Sequence, residues 1–450
     1  MPVTRQSSKI SRDLQQEYKL RILITNGRLP VSLDIARQFQ LAGYTVYCVD
    51  PMSTHLCTFS RAVKQSAQIP APHNNPKGYI RAVKELAIRW EIDMIIPLHE
   101  EVFCLADSEE PEILSRLFAP PFDMLVHLHD RYEFTRYMEQ LGMLVPRSYL
   151  CRSIHDVTQL PIDQFPEGLV LKPYFGRTGN GLHRLMAGKP TPEDLEVRED
   201  KWCIAQEWLV GNQYRSYSVI RDGLVEATAC HDVLETHNSS TKVVLRQKFH
   251  PGVYEYVHQF VASVPTFSGQ IAFDFIETSD GLYAVKCTPH ATSGLHLWAG
   301  TQWLARAITG SLPKEDIERP IRPPKRPLGH ESHSQVAARM LTWEHKNATV
   351  GIWLKHMKRL AFTRDVVWKL KDPMPVIAEP FLLTEYYCMS RKAGLRLPEL
   401  FEEQLLWEPK GDELEKIRGM FAKHDSVADS GIELQPVESW ATRTLTTTDA

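Results

Sequence analysis

A strand, a helix and a second strand follow one another near the start of the chain, and this order constrains the fold more than any other feature. A short apolar run at 20–25 is broken at Gly27, and apolar residues between 33 and 40 then recur at helical spacing. Gly43 ends the helix, and residues 45–49 form the next strand. Two strands joined through a helix pair in parallel by a right-handed crossover, so we predict an α/β fold with a parallel sheet.

The chain continues this pattern with a predicted helix from Gly78 to Trp90 and a strand at 94–97. The turn at Gly27 has two interpretations, a nucleotide-binding turn or a simple entry into the helix. We favour the second, because the sequence has no G-x-G-x-x-G motif there. Further along, residues 127–149 are predicted to be helical and to lead into a strand at 169–173.

A chain of 450 residues is long enough for two or three domains, and changes in composition mark the boundaries. The stretch after Leu312 is rich in proline and in both charge signs, which is typical of a linker. The last residues are polar, and we predict that they are disordered. We divide the chain into a polar leader (1–18), an α/β domain (19–125), a second domain (126–312), the linker (313–329), a C-terminal α/β extension (330–408) and a polar tail (409–450).

Charge and cysteine content argue against several classes of function. The formal net charge of −3 does not favour sequence-independent binding of nucleic acid, which needs clustered Lys and Arg. The eight cysteines contain no C-x-x-C pair, so a zinc site of that kind is not expected, and dispersed thiols are typical of the cytosol. The N-terminal residues lack the apolar core of a signal peptide, and no apolar run is long enough to span a bilayer. We therefore expect a cytoplasmic protein that binds neither nucleic acid nor membrane.

A glycine-rich loop follows the strand at 169–173 and is the first candidate binding element. Lys172 lies on that strand, where its ammonium could reach a phosphate. Gly176, Gly179 and Gly181 would let backbone N–H groups approach an anion closely. The loop is not a Walker A motif, because no G-K-[ST] follows, and a plain hairpin turn is an equally good interpretation of the loop by itself.

Two further elements carry polar residues on strands. The segment from Ala205 to Gly211 is an apolar strand that runs into a glycine turn, and it either borders an adenine or is simply a strand end. A hairpin follows later, and its predicted turn at 279–281 places Asp274 directly opposite Lys286 on one face. An aspartate in an apolar strand is costly when it is buried alone, so it needs a charged partner or a metal ion.

The order of these elements resembles the ATP-grasp superfamily, which includes biotin carboxylase, carbamoyl-phosphate synthetase and D-alanine–D-alanine ligase. The resemblance covers residues 20–310 and includes the stretch Ile95 to Val102, which is similar to the "IIP…EE" segment of the family. It implies a pre-ATP-grasp parallel-sheet lobe followed by a two-lobed α+β ATP-grasp domain and a C-terminal extension. Beyond residue 330 it carries no mechanism.

The resemblance also implies which residues bind ATP. It matches a basic residue at the start of a helix, the phosphate-binding lysine, the loop that closes over the triphosphate and the hinge beside the adenine. In this sequence these positions are Arg131, Lys172, Gly176, Thr178, Gly179, Gly181, Gln206, Glu207, Trp208 and Leu209.

The sequence departs from the family at the metal site. Family members hold Mg²⁺ with an acid, a glutamate and an asparagine, and these positions are Asp274, Lys286 and Thr288 here. The arginine that follows in the family is His290, and the ribose-side glutamate of the hinge is Gln213. A protonated lysine repels a cation and offers it no lone pair.

Three arrangements of the metal position follow from these replacements. Asp274, with Thr288 beside it, could still bind Mg²⁺ together with ATP oxygens and water. Alternatively Lys286 pairs with Asp274 and no metal binds. In the third arrangement Lys286 contacts a phosphate of ATP directly and contributes to the nucleotide site.

The function implied by the resemblance is an ATP-dependent ligase that joins a small-molecule carboxylate to an amine through an acyl phosphate. Lys172 and His290 would act in the reaction, and ATP, with or without Mg²⁺, would be the cosubstrate. The alternative is a non-catalytic nucleotide- or partner-binding protein that has lost the metal site. Neither alternative gives the oligomeric state. His290 and His296 could instead be structural histidines, which is the more frequent role of such residues.

Smaller features give weaker predictions. Arg246 and Lys248 lie on a predicted strand, where a solvated face is the default interpretation and anion contact the hypothesis. Residues 365–368 are predicted to form a strand. The tryptophans of the second half are predicted to lie in the core, at positions Trp298, Trp303, Trp353, Trp368 and Trp407.

Overall fold

The structure is a computed structural model that describes residues 19–174, 182–190, 192, 195–198, 201–237, 241–313, 320–324, 333–335, 365–409 and 411–428. Contacts divide the chain into two units, the first up to Glu408 and the second from Pro409. The first unit contains three β-sheets.

A four-stranded parallel sheet forms the first lobe, in the order β3-β2-β1-β4. Its strands are β1 (Arg21–Thr25), β2 (Thr45–Asp50), β3 (Val63–Gln68) and β4 (Met94–Ile96). Its helices are α1 (Pro30–Leu41), α2 (Pro76–Arg89), α3 (Glu101–Ala106) and α4 (Pro111–Leu114), with a 3₁₀ turn at Leu56–Phe59. The parallel sheet predicted from the strand–helix–strand order is confirmed.

The helices of this lobe begin and end where the sequence dictates. Proline occupies the first position of α1 and α2, where its fixed φ suits a helix and its missing N–H costs nothing. The Asn75 side chain caps α2 by accepting a hydrogen bond from the Gly78 amide. After α1 the chain turns at Gly43, whose φ of +91° favours glycine.

The predicted helix at 127–149 is wrong in its extent. The chain forms two helices, α5 (Phe122–His129) and α6 (Arg131–Gln140), and a strand begins at Ser148. Asp130 separates the helices because its carboxylate accepts hydrogen bonds from the amides of Tyr132 and Glu133, which makes it the N-cap of α6.

A four-stranded antiparallel sheet follows, in the order β5-β8-β6-β7. Its strands are β5 (Ser148–Cys151), β6 (Leu169–Pro173), β7 (His183–Leu185) and β8 (Cys203–Glu207). The short helix α7 (Ile154–Thr158) and a 3₁₀ turn at Ile162–Gln164 follow β5, and Ser153 and Asp156 form a capping box at the start of α7. This sheet has a small core of its own, which includes Phe165 and Leu171.

The largest sheet has six strands in the order β13-β12-β9-β10-β11-β14. The strands are β9 (Asn212–Arg221), β10 (Leu224–His237), β11 (Thr241–Lys248), β12 (Gly269–Glu277), β13 (Leu282–Thr288) and β14 (His333–Gln335). The helices are α8 (Pro251–Ser263) and α9 (Trp303–Thr309), with a 3₁₀ turn at Ser293–Trp298. Buried aromatic rings pack α8 onto the sheet, as in the contact between Phe260 and Phe273 with centroids 5.5 Å apart.

Two helices of the C-terminal extension, α10 (Met374–Lys392) and α11 (Leu397–Leu405), pack against the first lobe. Arg37 of α1 donates to Asp372 at 2.9 Å, and the Tyr386 hydroxyl donates to the carbonyl of Thr54. The extension also contributes β14 to the edge of the six-stranded sheet. It therefore shares the cores of the lobes that precede it.

Several predictions for the second half need correction or fall outside the described residues. Residues 365–368 do not form a strand, and Trp368 is 48% exposed rather than buried, whereas Trp298 and Trp407 are buried. Trp303 is partly buried, and Trp353 lies outside the described residues. In the predicted linker, the described part includes Ile321, which is buried and bridges to Ala227 of β10.

The second unit contains the helix α12 (Asp412–Ala428), which the sequence analysis did not predict. Its first turn carries acidic residues, which favour the positive end of a helix dipole. The final residues, predicted to be disordered, lie outside the described part. Among the residues that the structure describes, no helix has the length and apolar character needed to cross a membrane.

Candidate functional site

Lys172 of β6 is held on one face of the four-stranded sheet by its neighbours on β8 and β5. Its ammonium donates to the Gln206 side-chain oxygen at 2.6 Å, and the Gln206 amide donates to the Ser148 hydroxyl at 3.2 Å. The strand register explains these contacts. Val170 pairs with Gln206, and Gln206 pairs with Ser148. Lys172 lies two residues after Val170, so its side chain is on the same face of the sheet as these residues. These hydrogen bonds hold Lys172 near the C-terminal end of β6, after which the glycine-rich loop follows in the sequence.

Arg131 approaches Lys172 from the start of α6. The buried N-cap Asp130 sets the direction of the first turn, and the guanidinium of Arg131 donates to the carbonyl of Pro173, the residue after Lys172. Two cationic side chains from separate elements therefore lie beside the same strand end.

The positive charge of Lys286 also acts on Lys172. Burial, together with the positive charges of Arg131 and Lys286, lowers the pKa of Lys172 to about 7, while the charge of Asp274 acts in the opposite sense. His129 at the end of α5 responds in the same way: burial and then the charges of Lys286, His290 and Arg131 hold its pKa well below the usual value. Arg131, Lys172 and Lys286 come from three parts of the fold and lie near enough to act on one another electrostatically, and we call the region around them the cationic cleft.

Asp274 and Lys286 are register partners in the β12–β13 ladder, as the hairpin register predicts. The register beside the turn differs from the prediction, because Glu277 pairs with Leu282 there. A bulge between Asp274 and Phe275 then shifts the register by one residue and brings Asp274 opposite Lys286. Arg215 of β9 also donates to Asp274, with Nε 3.0 Å from Oδ1. The carboxylate of Asp274 therefore lies between two cationic residues.

A second cluster lies beside this cleft and consists of His99, Glu100 and His290. One ligand atom from each of the three residues lies within 4.8 Å of the others, and the two imidazole rings are 5.0 Å apart. His290 is buried, and its Nδ1 is 2.9 Å from the carbonyl oxygen of Ala291, so the ring orientation is fixed. These residues follow β4 and β13, so strand ends of the first and third sheets meet here.

Three solved structures share this arrangement of sheets. The N5-carboxyaminoimidazole synthetase of Staphylococcus aureus is 17% identical, with a TM-score of 0.53 over 67% of this chain and 81% of that one. A carboxyaminoimidazole ribonucleotide synthase of Aspergillus clavatus, complexed with ATP, is 13% identical, with a TM-score of 0.52 over 68% and 80%. The L-amino acid ligase of Bacillus licheniformis is 14% identical, with a TM-score of 0.50 over 66% and 77%.

The chain has the ATP-grasp fold. This confirms the fold class predicted from the order of the elements. No family model and no curated protein matches the sequence.

The residues predicted to form the metal position, Asp274, Lys286 and Thr288, offer few of the ligands that Mg²⁺ prefers. The ion needs hard oxygen ligands, largely from carboxylates and phosphates. Here the one carboxylate, Asp274, binds Arg215, and its register partner is the ammonium-bearing Lys286. Thr288 adds a single neutral hydroxyl at the end of β13. Because two cationic side chains outweigh the one carboxylate of Asp274, this group of residues favours an anion over a metal ion.

The predicted hinge lies between the two antiparallel sheets of the ATP-grasp fold. Gln206 is buried and binds Lys172, Glu207 pairs with Arg147, and Trp208 is partly exposed beside Arg184. Gly211 follows, and a Cβ there would lie 1.9 Å from the carbonyl oxygen of Glu277, so only glycine fits this crossing.

Other predicted site residues have different positions. Gln213 is exposed at the start of β9, and Leu209 is partly buried after the hinge. The loop residues Gly176, Thr178, Gly179 and Gly181 lie outside the described residues.

The structural interpretation of His296 is supported by its contacts. His296 is buried, and its Nδ1 lies 2.8 Å from a carboxylate oxygen of Asp34 in α1. Arg246 of β11 is partly buried and pairs with Asp232 of β10, so it does not belong to a solvated face. Both residues hold elements of the fold together.

The sequence analysis missed the contribution of the C-terminal extension to the cleft. The Trp407 amide donates to Glu100 at 2.6 Å, and His99 Nδ1 is 3.1 Å from the carbonyl oxygen of Leu405. The Trp407 indole stacks on Phe103, with ring centroids 4.1 Å apart and planes 8° from parallel. These contacts join residues that are 306 and 307 positions apart, and no local spacing in the sequence indicates them. Glu100 itself belongs to the stretch that resembles the "IIP…EE" segment of the family.

Proposed function

We propose that this protein is an ATP-dependent ligase that joins the carboxylate of a small amino-acid-like substrate to an amine, in a specialised biosynthetic pathway. The observation that carries the proposal is that Arg131 contacts the strand end that bears Lys172 and that Lys286 acts electrostatically on the same lysine, in an ATP-grasp fold. The L-amino acid ligase and the carboxyaminoimidazole synthetases among its structural neighbours support the same class of reaction.

The charges of the cleft favour a polyanionic ligand. Arg131, Lys172 and Lys286 repel one another when no anion is bound, and this repulsion raises the free energy of their charged forms. A bound triphosphate would offset the repulsion. We place the adenine beside the hinge at 206–209 and the phosphates beside Arg131 and Lys172. The glycine-rich loop would then close over the triphosphate.

Lys286 would contact the terminal phosphates at the position where the family binds metal. Phosphoryl transfer depends mainly on positioning and on neutralising charge, and an ammonium supplies one positive charge there. Arg215 would hold Asp274 aside, so that its carboxylate does not neutralise Lys286 completely. No step of this proposal requires Mg²⁺ to be bound by Asp274 or Thr288.

The acceptor substrates would bind beside His99, Glu100 and His290. A substrate carboxylate near His290 and Lys286 would attack the γ-phosphorus, ADP would leave, and an acyl phosphate would form. The amine would then attack the acyl carbon, phosphate would leave, and Glu100 would accept the amine proton. The backbone N–H of Trp407 orients Glu100 for this role.

A second function is favoured by one specific contact, the ion pair between Arg215 and Asp274. In this pair Arg215 binds the carboxylate of Asp274, which a catalytic metal ion would need as a ligand. A protein with this pair could bind a nucleotide, or a partner protein, without transferring a phosphoryl group.

The test is a screen for ADP release with the purified protein, ATP, and pairs of amino acids and amines. We expect one acid and amine pair to stimulate ADP release, and Lys172→Met to abolish the stimulation. Lys64→Met is the matched control, because Lys64 is exposed on β3 of the first lobe. A protein that binds ATP but releases no ADP with any pair would favour the non-catalytic function.

A further inference from the structure

Two cysteines and a histidine meet inside the first lobe, away from the cationic cleft. Cys48 lies on β2, and His55 and Cys57 lie at the 3₁₀ turn that follows that strand. All three are buried, with at most 1% of the residue surface exposed. One ligand atom from each, the two sulfurs and a ring nitrogen, lies within 4.8 Å of the others.

Gly27 creates the space for this cluster. A Cβ at Gly27 would lie 2.4 Å from His55 Nδ1 and 2.6 Å from Cys48 Sγ, closer than any real contact. The carbonyl of Gly27 accepts a hydrogen bond from the Cys57 amide at 3.1 Å, which ties the turn to the end of β1. The backbone therefore brings a nitrogen and a sulfur to the same point.

His55 Nδ1 is a buried polar atom with no hydrogen-bond partner among the described residues. A buried nitrogen without a partner is costly, and such atoms are rare in folded proteins. Because Cys48 Sγ and His55 Nδ1 converge on the same point beside Gly27, a ligand bound between them would satisfy this nitrogen.

The nearby carboxylate of Asp50 is already paired with Arg28, whose Nε lies 3.0 Å from Oδ1. The two sulfurs and the ring nitrogen are therefore the ligand atoms that this cluster offers to a cation.

We propose that Cys48, His55 and Cys57 supply three ligands of a site for one thiophilic cation, with Zn²⁺ the preferred ion and a non-protein ligand in its fourth position. Two thiolates and one imidazole are ligands that Zn²⁺ accepts, whereas Mg²⁺ and Ca²⁺ prefer oxygen. Binding would release the thiol protons, and the two thiolates would balance the charge of the ion. This site does not depend on the proposed ligase function.

The position of the site gives it a structural task. The 3₁₀ turn that carries Cys57 packs against α10 of the C-terminal extension. Next to His55, Thr54 accepts a hydrogen bond from the Tyr386 hydroxyl through its carbonyl and donates to Glu385 through its own hydroxyl. A metal between β2 and the turn would therefore stabilise the surface on which the C-terminal extension packs.

The test is metal analysis of the reduced full-length protein after loading with Zn²⁺ and dialysis. We expect about one zinc ion per chain, bound by the two sulfurs and the imidazole. Cys57→Ser should lose the bound zinc, and Cys151→Ser, which removes a buried thiol of the four-stranded sheet, should retain it.

A second measurement covers the case in which Cys57→Ser does not fold. The wild-type protein loaded with Co²⁺ should show the near-ultraviolet charge-transfer absorption of thiolate ligands. Absence of both this absorption and stably bound zinc would overturn the proposal. A Cys48–Cys57 disulfide in protein alkylated at the moment of lysis would overturn it as well.

Discussion

Lys286 lies directly opposite Asp274 in the β12–β13 ladder, and the same carboxylate accepts a 3.0 Å hydrogen bond from Arg215. The position that the sequence resemblance predicts to be a metal ligand thus carries an ammonium group in this chain. We infer that the local charge has been reversed so that the protein itself supplies positive charge to the phosphates.

Replacing Lys286 by glutamate tests this inference. We predict that Lys286→Glu lowers the affinity for ATP by about tenfold or more in EDTA, because it removes a charged hydrogen bond and adds repulsion. The affinity is measured by calorimetric titration, and Lys64→Glu is the control for a change of the same charge elsewhere. Tighter Mg²⁺-dependent binding by Lys286→Glu, without a loss in EDTA, would instead indicate a degenerate metal centre.

Replacing Lys172 by methionine tests the placement of the nucleotide. The variant keeps the length and much of the volume of the side chain but loses the charge that Gln206 orients. We predict an ATP affinity about 10 to 100 times lower, the usual cost of a lost charged hydrogen bond. Calorimetric titration measures it, and unchanged affinity in a folded variant would contradict the placement.

ATP binding should also be linked to proton uptake. The pKa of Lys172 is lowered to about 7, so its amine is largely neutral at pH 8 in the unliganded protein. A bound triphosphate favours the charged form, so binding at pH 8 should take up about one proton, and affinity should rise as the pH falls towards 6.

The proton uptake is obtained from binding enthalpies in two buffers with different ionisation enthalpies. Lys172→Arg is the matched control, because a guanidinium stays protonated throughout this range and should show no uptake of its own. Equal uptake by the wild type and Lys172→Arg would assign the proton to another group.

The buried pair between Arg37 and Asp372 should make the C-terminal extension part of the folding unit. Asp372 accepts hydrogen bonds from Ser60 and the Arg61 amide as well, so Asp372→Ala leaves a buried guanidinium without its carboxylate. We predict a loss of about 3–5 kcal/mol in the free energy of unfolding, measured by urea denaturation. The control is Glu196→Ala, which removes an exposed ion pair with Lys201 and should cause no measurable change.

The same pair predicts sensitivity to acid. Burial by itself raises the pKa of Asp372, but its hydrogen bonds with Ser60, Arg61 and Arg37 outweigh burial and lower it below the usual value. The stabilisation is therefore present above the pKa of the unfolded state and is lost as the pH falls through the lower folded value. A wild-type protein whose excess stability over Asp372→Ala does not shrink at acid pH would contradict this assignment.

Local sequence patterns predicted much of the fold. The parallel sheet followed from apolar strands alternating with a helix, which is a short-range feature of one supersecondary unit. The pairing of Asp274 with Lys286 was predicted from a turn at 279–281, but Glu277 pairs with Leu282 beside the turn. The predicted pairing occurs because a bulge next to Asp274, which the sequence analysis did not predict, shifts the register by one residue.

Long-range contacts could not be predicted in the same way. The break between α5 and α6 occurs because Asp130 caps the start of α6. The sequence analysis missed it because the spacing of apolar residues is helical on both sides of Asp130. The contacts from Leu405 and Trp407 to His99 and Glu100 join residues that only the tertiary fold brings together. The charged environment of Lys172 likewise combines side chains from separate elements.

The most direct test of the central claim is titration of the wild-type protein with ATP, first with Mg²⁺ and then with EDTA. The account places the phosphates between Arg131, Lys172 and Lys286, so ATP should still bind in EDTA, with an affinity within about tenfold of that measured with Mg²⁺. Binding that disappears in EDTA would mean that Asp274 still anchors a metal ion, and it would contradict the assignment of Lys286 to the phosphates.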